Sequence, residues 1–223
     1  TEITGQPRLV ETTVHGVDAE RFRFIEFLVP GILAMAMLTN GVLALSSTFV
    51  NYRERGILRR VQATPFPLSL FIFSKIVVQL LVALAQVAIL LGVSVAVFNV
   101  EISNNYPSLI IMVILGGLAF LSIGFAISSF ARNAEIANGI ANVVVFPMLF
   151  LGGVFFPLDD APEWLRMITT VLPVTYLAEG LRDIILDGAT IFSLWPSVIA
   201  LLVTTLIGMV IAVRFFRWDS RTV

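Results

Sequence analysis

The side chains able to do chemistry fall into a few small groups. Arg53, Glu54, Arg55, Arg59 and Arg60 crowd into Asn51-Tyr-Arg-Glu-Arg-Gly56-Ile-Leu-Arg-Arg60. Charge at this density suits ion pairing, either with a soluble partner that docks there or with anionic lipid. Glu135, Asn138 and Asn142 recur at i, i+3 and i+7, so a helix puts all three on one face. Gln79 and Gln86, seven residues apart, share a face in the same way. Amides in an apolar setting hydrogen-bond to neighbouring helices or line a polar path. None of these groups pairs a nucleophile with a base. With no cysteine and a single histidine, His15, disulfides, thiolate sites and a histidine metal cluster are excluded. The GxxxxGK[ST] phosphate loop is absent from these residues, so the chain does not hydrolyse ATP by that route.

The elements that carry these groups are set by long uncharged runs. Phe27–Val50, Ile76–Val100, Ile102–Ala131, Ile136–Leu158 and Gly188–Val213 contain no charged residue. Each has at least 23 residues, and a helix needs about 20 to cross a hydrocarbon core of roughly 30 Å. Of the 223 residues, 58% are hydrophobic and only 13% charged, against about a quarter charged in soluble domains. The expected fold is all-α: a polytopic helical membrane protein with five spans, at about 25–50, 68–99, 107–130, 136–157 and 190–214. No acidic or basic side chain sits near the middle of a span, where ion-coupled carriers and intramembrane proteases need one.

Arginine placement gives the orientation. Arg53, Arg55, Arg59, Arg60 and Lys75 lie between the first two spans, Arg132 between the third and fourth, and Arg214, Arg217 and Arg221 in the tail. Together they are most of the 14 basic residues. The positive-inside bias puts this side, with the tail at 218–223, in the cytoplasm of a cell-membrane protein. Thr1 is then outside, with 1–24 an extracellular segment. A further span ahead of it, not contained in this sequence, would resolve the awkward export of that segment.

Two short helices punctuate the spans. Residues 51–63 read as an amphipathic helix on the inner leaflet, with Ile57, Leu58 and Val61 on its apolar face and Pro65 and Pro67 ending it. On the outer side, Pro147 should kink the fourth span, and Gly152-Gly153 followed by Pro157 should end it. Asp159-Asp160-Ala-Pro-Glu163 is helix-start chemistry. Leu165, Ile168 and Leu172 form a stripe that Pro173 interrupts, and a second helix is expected over Thr175–Asp187 with Gly188 as its cap. Within about 160–187 these make a pair of half-helices dipping into the outer leaflet, with Trp164 and Tyr176 as interfacial anchors. Gly116, Gly117, Gly124, Gly139, Gly152 and Gly153 read first as close-packing positions.

In order and membrane side, these segments resemble the type-2 permease family of ATP-binding-cassette transporters. The resemblance rests on Asn51 to Arg60 with Ala63-Thr64-Pro65 behind, on Ser128-Ser129-Phe-Ala-Arg132-Asn-Ala-Glu135, and on Leu151-Gly-Gly-Val-Phe-Phe-Pro-Leu158 through Leu172-Pro173-Val-Thr-Tyr176 to Arg182. It implies six spans, of which this chain holds five, and a coupling helix formed by Arg53, Glu54, Arg55, Gly56, Arg59 and Arg60 that docks on a separate ATPase. It also implies a second permease copy, identical or related, and ATP with Mg bound by the ATPase rather than by any cofactor site here. Glu135, Asn138 and Asn142 would stand at the cytoplasmic mouth, and Phe155 and Phe156 would form an apolar outer gate. The cargo would be an amphiphile such as a drug, antibiotic or lipid, moved outward among membrane lipids, with no nucleic acid involved. The rival readings are a non-transporting scaffold, a secondary carrier and a membrane enzyme. The last two are disfavoured by the missing mid-span charges and catalytic clusters.

Overall fold

A computed structural model describes residues 8–64, 67–98, 103–155 and 162–215. For 8–25 it describes the backbone alone, and the side chains of Arg59, Gln62, Leu68 and Ser69 lie outside the description. The elements are α1 (Arg8–Glu54), α2 (Ile57–Gln62), α3 (Leu68–Phe98), α4 (Tyr106–Phe130), α5 (Ala134–Leu151), α6 (Glu163–Thr169), α7 (Pro173–Leu186) and α8 (Trp195–Phe215). There is no strand among the described residues. Five of the helices are long and apolar enough to cross a membrane: Glu26–Glu54 of α1, Leu70–Phe98 of α3, α4, α5 and α8. The fold is the expected all-α polytopic bundle.

The span in α1 does not start afresh after an extracellular segment. From Arg8 the backbone is one helix of 47 residues, about 70 Å long. Pro30 lies inside it without ending it.

The middle of the bundle is α4, with 67% of its span buried, against 17% for α3 and α8. Small residues make this possible. A Cβ on Gly124 would lie 2.8 Å from the Val42 carbonyl oxygen, and one on Gly117 2.8 Å from Leu80. Gly208 of α8 sits against Ser122 of α4, whose hydroxyl donates to the Ala119 and Thr204 carbonyls. Such close approach raises dispersion contact where lipid supplies no hydrophobic drive between helices. Gly139 departs from the expectation: it is exposed on α5 with open space around it. The outward faces of α3, with Phe73, Leu81, Ile89 and Val97 all at least 60% exposed, suit contact with lipid.

On the opposite end from α2, α5 ends as expected at the two glycines: Gly152 caps it and Gly153 takes a positive φ of 68°. The following Phe155 is half-buried, whereas Phe156, Asp159 and Asp160 lie outside the described residues. The second half-helix starts at Pro173, two residues before the expected Thr175. Proline fits the first helical turn, where its missing N–H has no partner to lose. It ends at Leu186, followed by Gly188 at φ 67°. Leu177, Leu181, Ile184 and Ile185 bury one face of α7 in the core, while α6 leaves Trp164 and Met167 exposed. Tyr176 also closes the elbow: its hydroxyl donates to the Thr170 carbonyl at 2.8 Å.

Candidate functional site

The charged hairpin between α1 and α3 is built around one glycine. Residues 51–54 complete α1, and the chain then turns at Gly56, whose φ of 67° is the left-handed conformation that L side chains avoid. The Gly56 amide donates to the Arg53 carbonyl at 3.1 Å, and the Arg60 amide to the Gly56 carbonyl at 3.2 Å. The single helix expected over 51–63 is therefore two pieces: the end of α1, and the six-residue α2. Leu58 anchors α2, being 1% exposed, with Ile57 and Val61 half-buried beside it. Glu54, Arg55 and Arg60 remain exposed.

Arg53 does not belong to that exposed set. It is buried, and its guanidinium donates to the carbonyl of Ala131, the residue that caps α4. Carbonyls at a helix C-terminus lack intrahelical partners and carry the negative end of the helix dipole, so an arginine satisfies both needs. Ala131 is itself buried with Val50 and Ala137. The expectation that Arg53 faces a partner is corrected: it ties the charged hairpin to the α4–α5 turn.

That turn carries the second group. Asn133 caps α5, its Oδ1 accepting the Ile136 amide at 2.7 Å. Glu135 in the first turn, then Asn138 and Asn142, are all exposed, as the spacing predicts for one face. Asn138 also lines a groove of about 650 Å³ between α1, α3 and α5. Inside it, Asn40 of α1 donates to Gln86 of α3 at 2.9 Å. Thr39 and Ser47 also line the groove, with hydroxyls bonded back to the carbonyls of Met35 and Leu43. The rest of its wall is aliphatic. A neutral groove with a few amides and hydroxyls on an apolar wall offers hydrogen bonds to a ligand that is mostly hydrocarbon. Asn40 was not singled out from sequence, although an amide in the middle of an uncharged run is the signal that points to it.

At the far end, the Arg182 guanidinium of α7 lies 3.8 Å from the centre of the Phe27 ring of α1, a cation–π stack. Beside it, the Asp183 carboxyl is pushed above its ordinary range by burial and by Asp187, against the opposing pull of Arg182. Among the described residues, no three histidine, cysteine, aspartate or glutamate side chains are grouped to hold a metal.

Comparison with known proteins joins these elements to one family. The profile of the family described as ABC-2 type transporter matches residues 7–186. The chain is 28% identical over 187 residues to ABC transporter G family member 20 of Dictyostelium discoideum, covering 83% of this chain and 25% of that one. It is 25% identical over 193 residues to the probable multidrug ABC transporter permease YbhR of Escherichia coli K12, covering 86% and 52%. With the inner membrane transport permease YadH of the same strain, identity is 21% over 166 residues, covering 74% and 64%. The chain thus spans between a quarter and just under two thirds of the length of these relatives.

Proposed function

The chain belongs to the ABC-2 type transporter family, and from that premise we propose that it forms the permease part of an ATP-driven exporter of amphiphiles. The observation that carries the reading is the family match over residues 7–186, in a bundle whose charged hairpin is tied to the α4–α5 turn. In this reading the end bearing Arg55, Arg60 and Arg132 faces the cytoplasm, following the basic-residue bias. Exposed Glu54, Arg55 and Arg60, with Arg59 of the same helix, meet a separate ATPase that binds ATP and Mg.

Closure of the ATPases on ATP pushes α2. Because Leu58 seats α2 and Arg53 holds the Ala131 carbonyl, the push reaches the start of α5 as well as α1. Those two helices, with α3, wall the amide groove, so its width follows the hairpin. Glu135, Asn138 and Asn142 lie at the cytoplasmic mouth of the path. Phe155, packed against the core, narrows its outer end; Phe156, given the same role by the resemblance, lies outside the described residues. A second permease copy completes the path.

Reconstitution tests this. The full-length permease with the ATPase of its transporter is placed in proteoliposomes, and uptake of a fluorescent amphiphile is followed with and without ATP. Uptake that requires ATP and stops when the ATPase is left out supports the reading. Equal uptake in the absence of any ATPase counts for a carrier instead. A cysteine placed at Arg55 and labelled only from outside intact cells overturns the orientation.

A further inference from the structure

A second cavity lies away from the amide groove, where α5 parts from α4 and α8. The helices α4 and α8 pack along their length, through Ser122 against Gly208 and through the Ser129 hydroxyl on the Ala212 carbonyl at 3.3 Å. In contrast, α5 leans on α1, and among the described residues it does not pack closely on α8. The crevice left between them holds about 350 Å³, within the size range of ligand sites. Ile127 and Phe130 of α4, Ile207 of α8 and Ile140 of α5 wall it, and Val171 and Pro173 of the α6–α7 elbow roof it. Its one polar wall residue, Thr204, spends its hydroxyl on the Ala200 carbonyl at 2.8 Å, so the interior is apolar.

Val171 and Pro173 stand over the end next to the α6–α7 elbow, and Phe130 marks the opposite end. There the rings of Phe130 and Phe215 meet at 5.1 Å. Arg132 follows Phe130 by two residues, Arg214 precedes Phe215 by one, and both are exposed. Two exposed arginines thus stand one or two residues from the ring pair beside a hydrocarbon-lined slot, on the side that the basic-residue bias assigns to the cytoplasmic headgroups. Arginine's planar fork matches phosphate oxygens, and basic pockets between helices at this depth recognise anionic lipid.

We propose that the α4–α5–α8 crevice is a binding site for an anionic phospholipid of the adjacent leaflet, with one acyl chain under the α6–α7 elbow and its phosphate between Arg132 and Arg214. Each methylene seated there leaves no void against α5, which neighbouring helices do not fill. The two arginines select the headgroup, and the elbow sets how deep the chain goes. The site is separate from the proposed translocation groove, being walled by a different side of α5.

The test uses the purified chain in nonionic detergent, with no ATPase present, so that its outcome does not depend on the transport reading. Native mass spectrometry compares adducts of phosphatidylglycerol and phosphatidylcholine of matched chains. Retention of phosphatidylglycerol about tenfold greater is expected, falling to near parity in Arg132→Gln/Arg214→Gln. Ile140→Trp/Ile207→Trp should lose both lipids. Phosphatidylglycerol carrying a diazirine near its acyl terminus should label the unaltered protein on crevice residues near the elbow, at 123–127, 148, 171–173 or 204–208. Equal retention of the two lipids, or labelling spread over the outward face of α3, overturns the proposal. So does cross-linking of two copies through cysteines at Ile207, which would place a second chain in the crevice.

Discussion

The guanidinium of Arg53, at the end of α1, donates to the main-chain carbonyl of Ala131, where α4 gives way to the turn into α5. One residue thereby joins three segments, since its main-chain carbonyl in turn accepts the Gly56 amide that starts the hairpin. Removing it strands a buried carbonyl, a loss of about 1–3 kcal/mol. Arg53→Ala is expected to lower the unfolding temperature and reduce ATPase stimulation in the reconstituted transporter. Arg53→Lys, which keeps a donor but not the fork, should fall between. Full stimulation in stably folded Arg53→Ala would remove the tie from the coupling route.

The exposed charges should behave in the opposite manner. Arg55 and Arg60 face outward, so reversing their sign costs the fold little, typically within ±0.5 kcal/mol. It would nonetheless place like charges against whatever acidic surface the ATPase presents. Arg55→Glu/Arg60→Glu is expected to insert and melt as the unaltered chain does while losing co-purification with the ATPase. Arg59→Glu/Arg60→Glu should uncouple ATPase stimulation in the same assay. Normal transport by either pair in proteoliposomes would deny this surface a docking role.

Gly56 makes a cleaner local test. Its φ is 67°, yet a Cβ there would meet nothing within 4 Å. The cost of substitution is therefore conformational alone. Gly56→Ala should destabilise by about 1–2 kcal/mol, and Gly56→Asn by less, because asparagine tolerates the left-handed region. Unfolding in a graded series of denaturing detergent measures both. Identical losses for the two variants would point to a steric cause instead.

What the sequence discloses about this bundle follows from which forces are local. Each span is announced by its own uncharged run, because lipid forbids exposed charge regardless of neighbours. The stops at Gly153 and Gly188 are equally local, being backbone conformations that glycine alone takes readily. Arg53 is different: its burial depends on a carbonyl 78 residues away, and nothing in the string Tyr-Arg-Glu-Arg separates it from Arg55. Asn40 and Gln86 lie 46 residues apart, and only the approach of α3 to α1 makes them partners. The helix before Glu26 was hidden for another reason: its polar composition carries no membrane signal, while backbone bonding continues through it unbroken.

The Asn40–Gln86 bond lends itself to a double-mutant cycle. Asn40→Ala and Gln86→Ala each remove one side of a 2.9 Å amide pair in the groove. Interhelical hydrogen bonds in membrane proteins average about 0.6 kcal/mol and reach about 1.7. A coupling energy in that range is expected from unfolding measurements on the four proteins. If the amides also contact cargo, the apparent KM for the fluorescent amphiphile should rise in both single variants while ATPase assembly is unchanged. Additive stability losses would mean that the pair contributes nothing as a pair.

Asp183 predicts a pH dependence whose sign can be worked out. Burial, then Asp187, raise its pKa above 3.8, the ordinary value that the unfolded chain keeps, and Arg182 only partly offsets them. Between the two values the folded chain holds a proton that the unfolded chain has released. Stability linked to this group is thus complete below about pH 3.8 and falls as pH climbs through the folded value. Asp183→Asn keeps the shape and removes the titration, so its stability relative to the parent should grow as pH is raised through that window and then level off. Melting temperatures of the two proteins, taken in steps from pH 4 to 8, give the difference directly. Arg182→Gln should widen the window upward, because it removes the one charge that favours the ionised carboxylate, and it should also loosen the stack on Phe27. A difference between Asp183→Asn and the parent that is flat across the range would mean the carboxyl reaches solvent in the folded protein, and that α7 is not held against its neighbours as described.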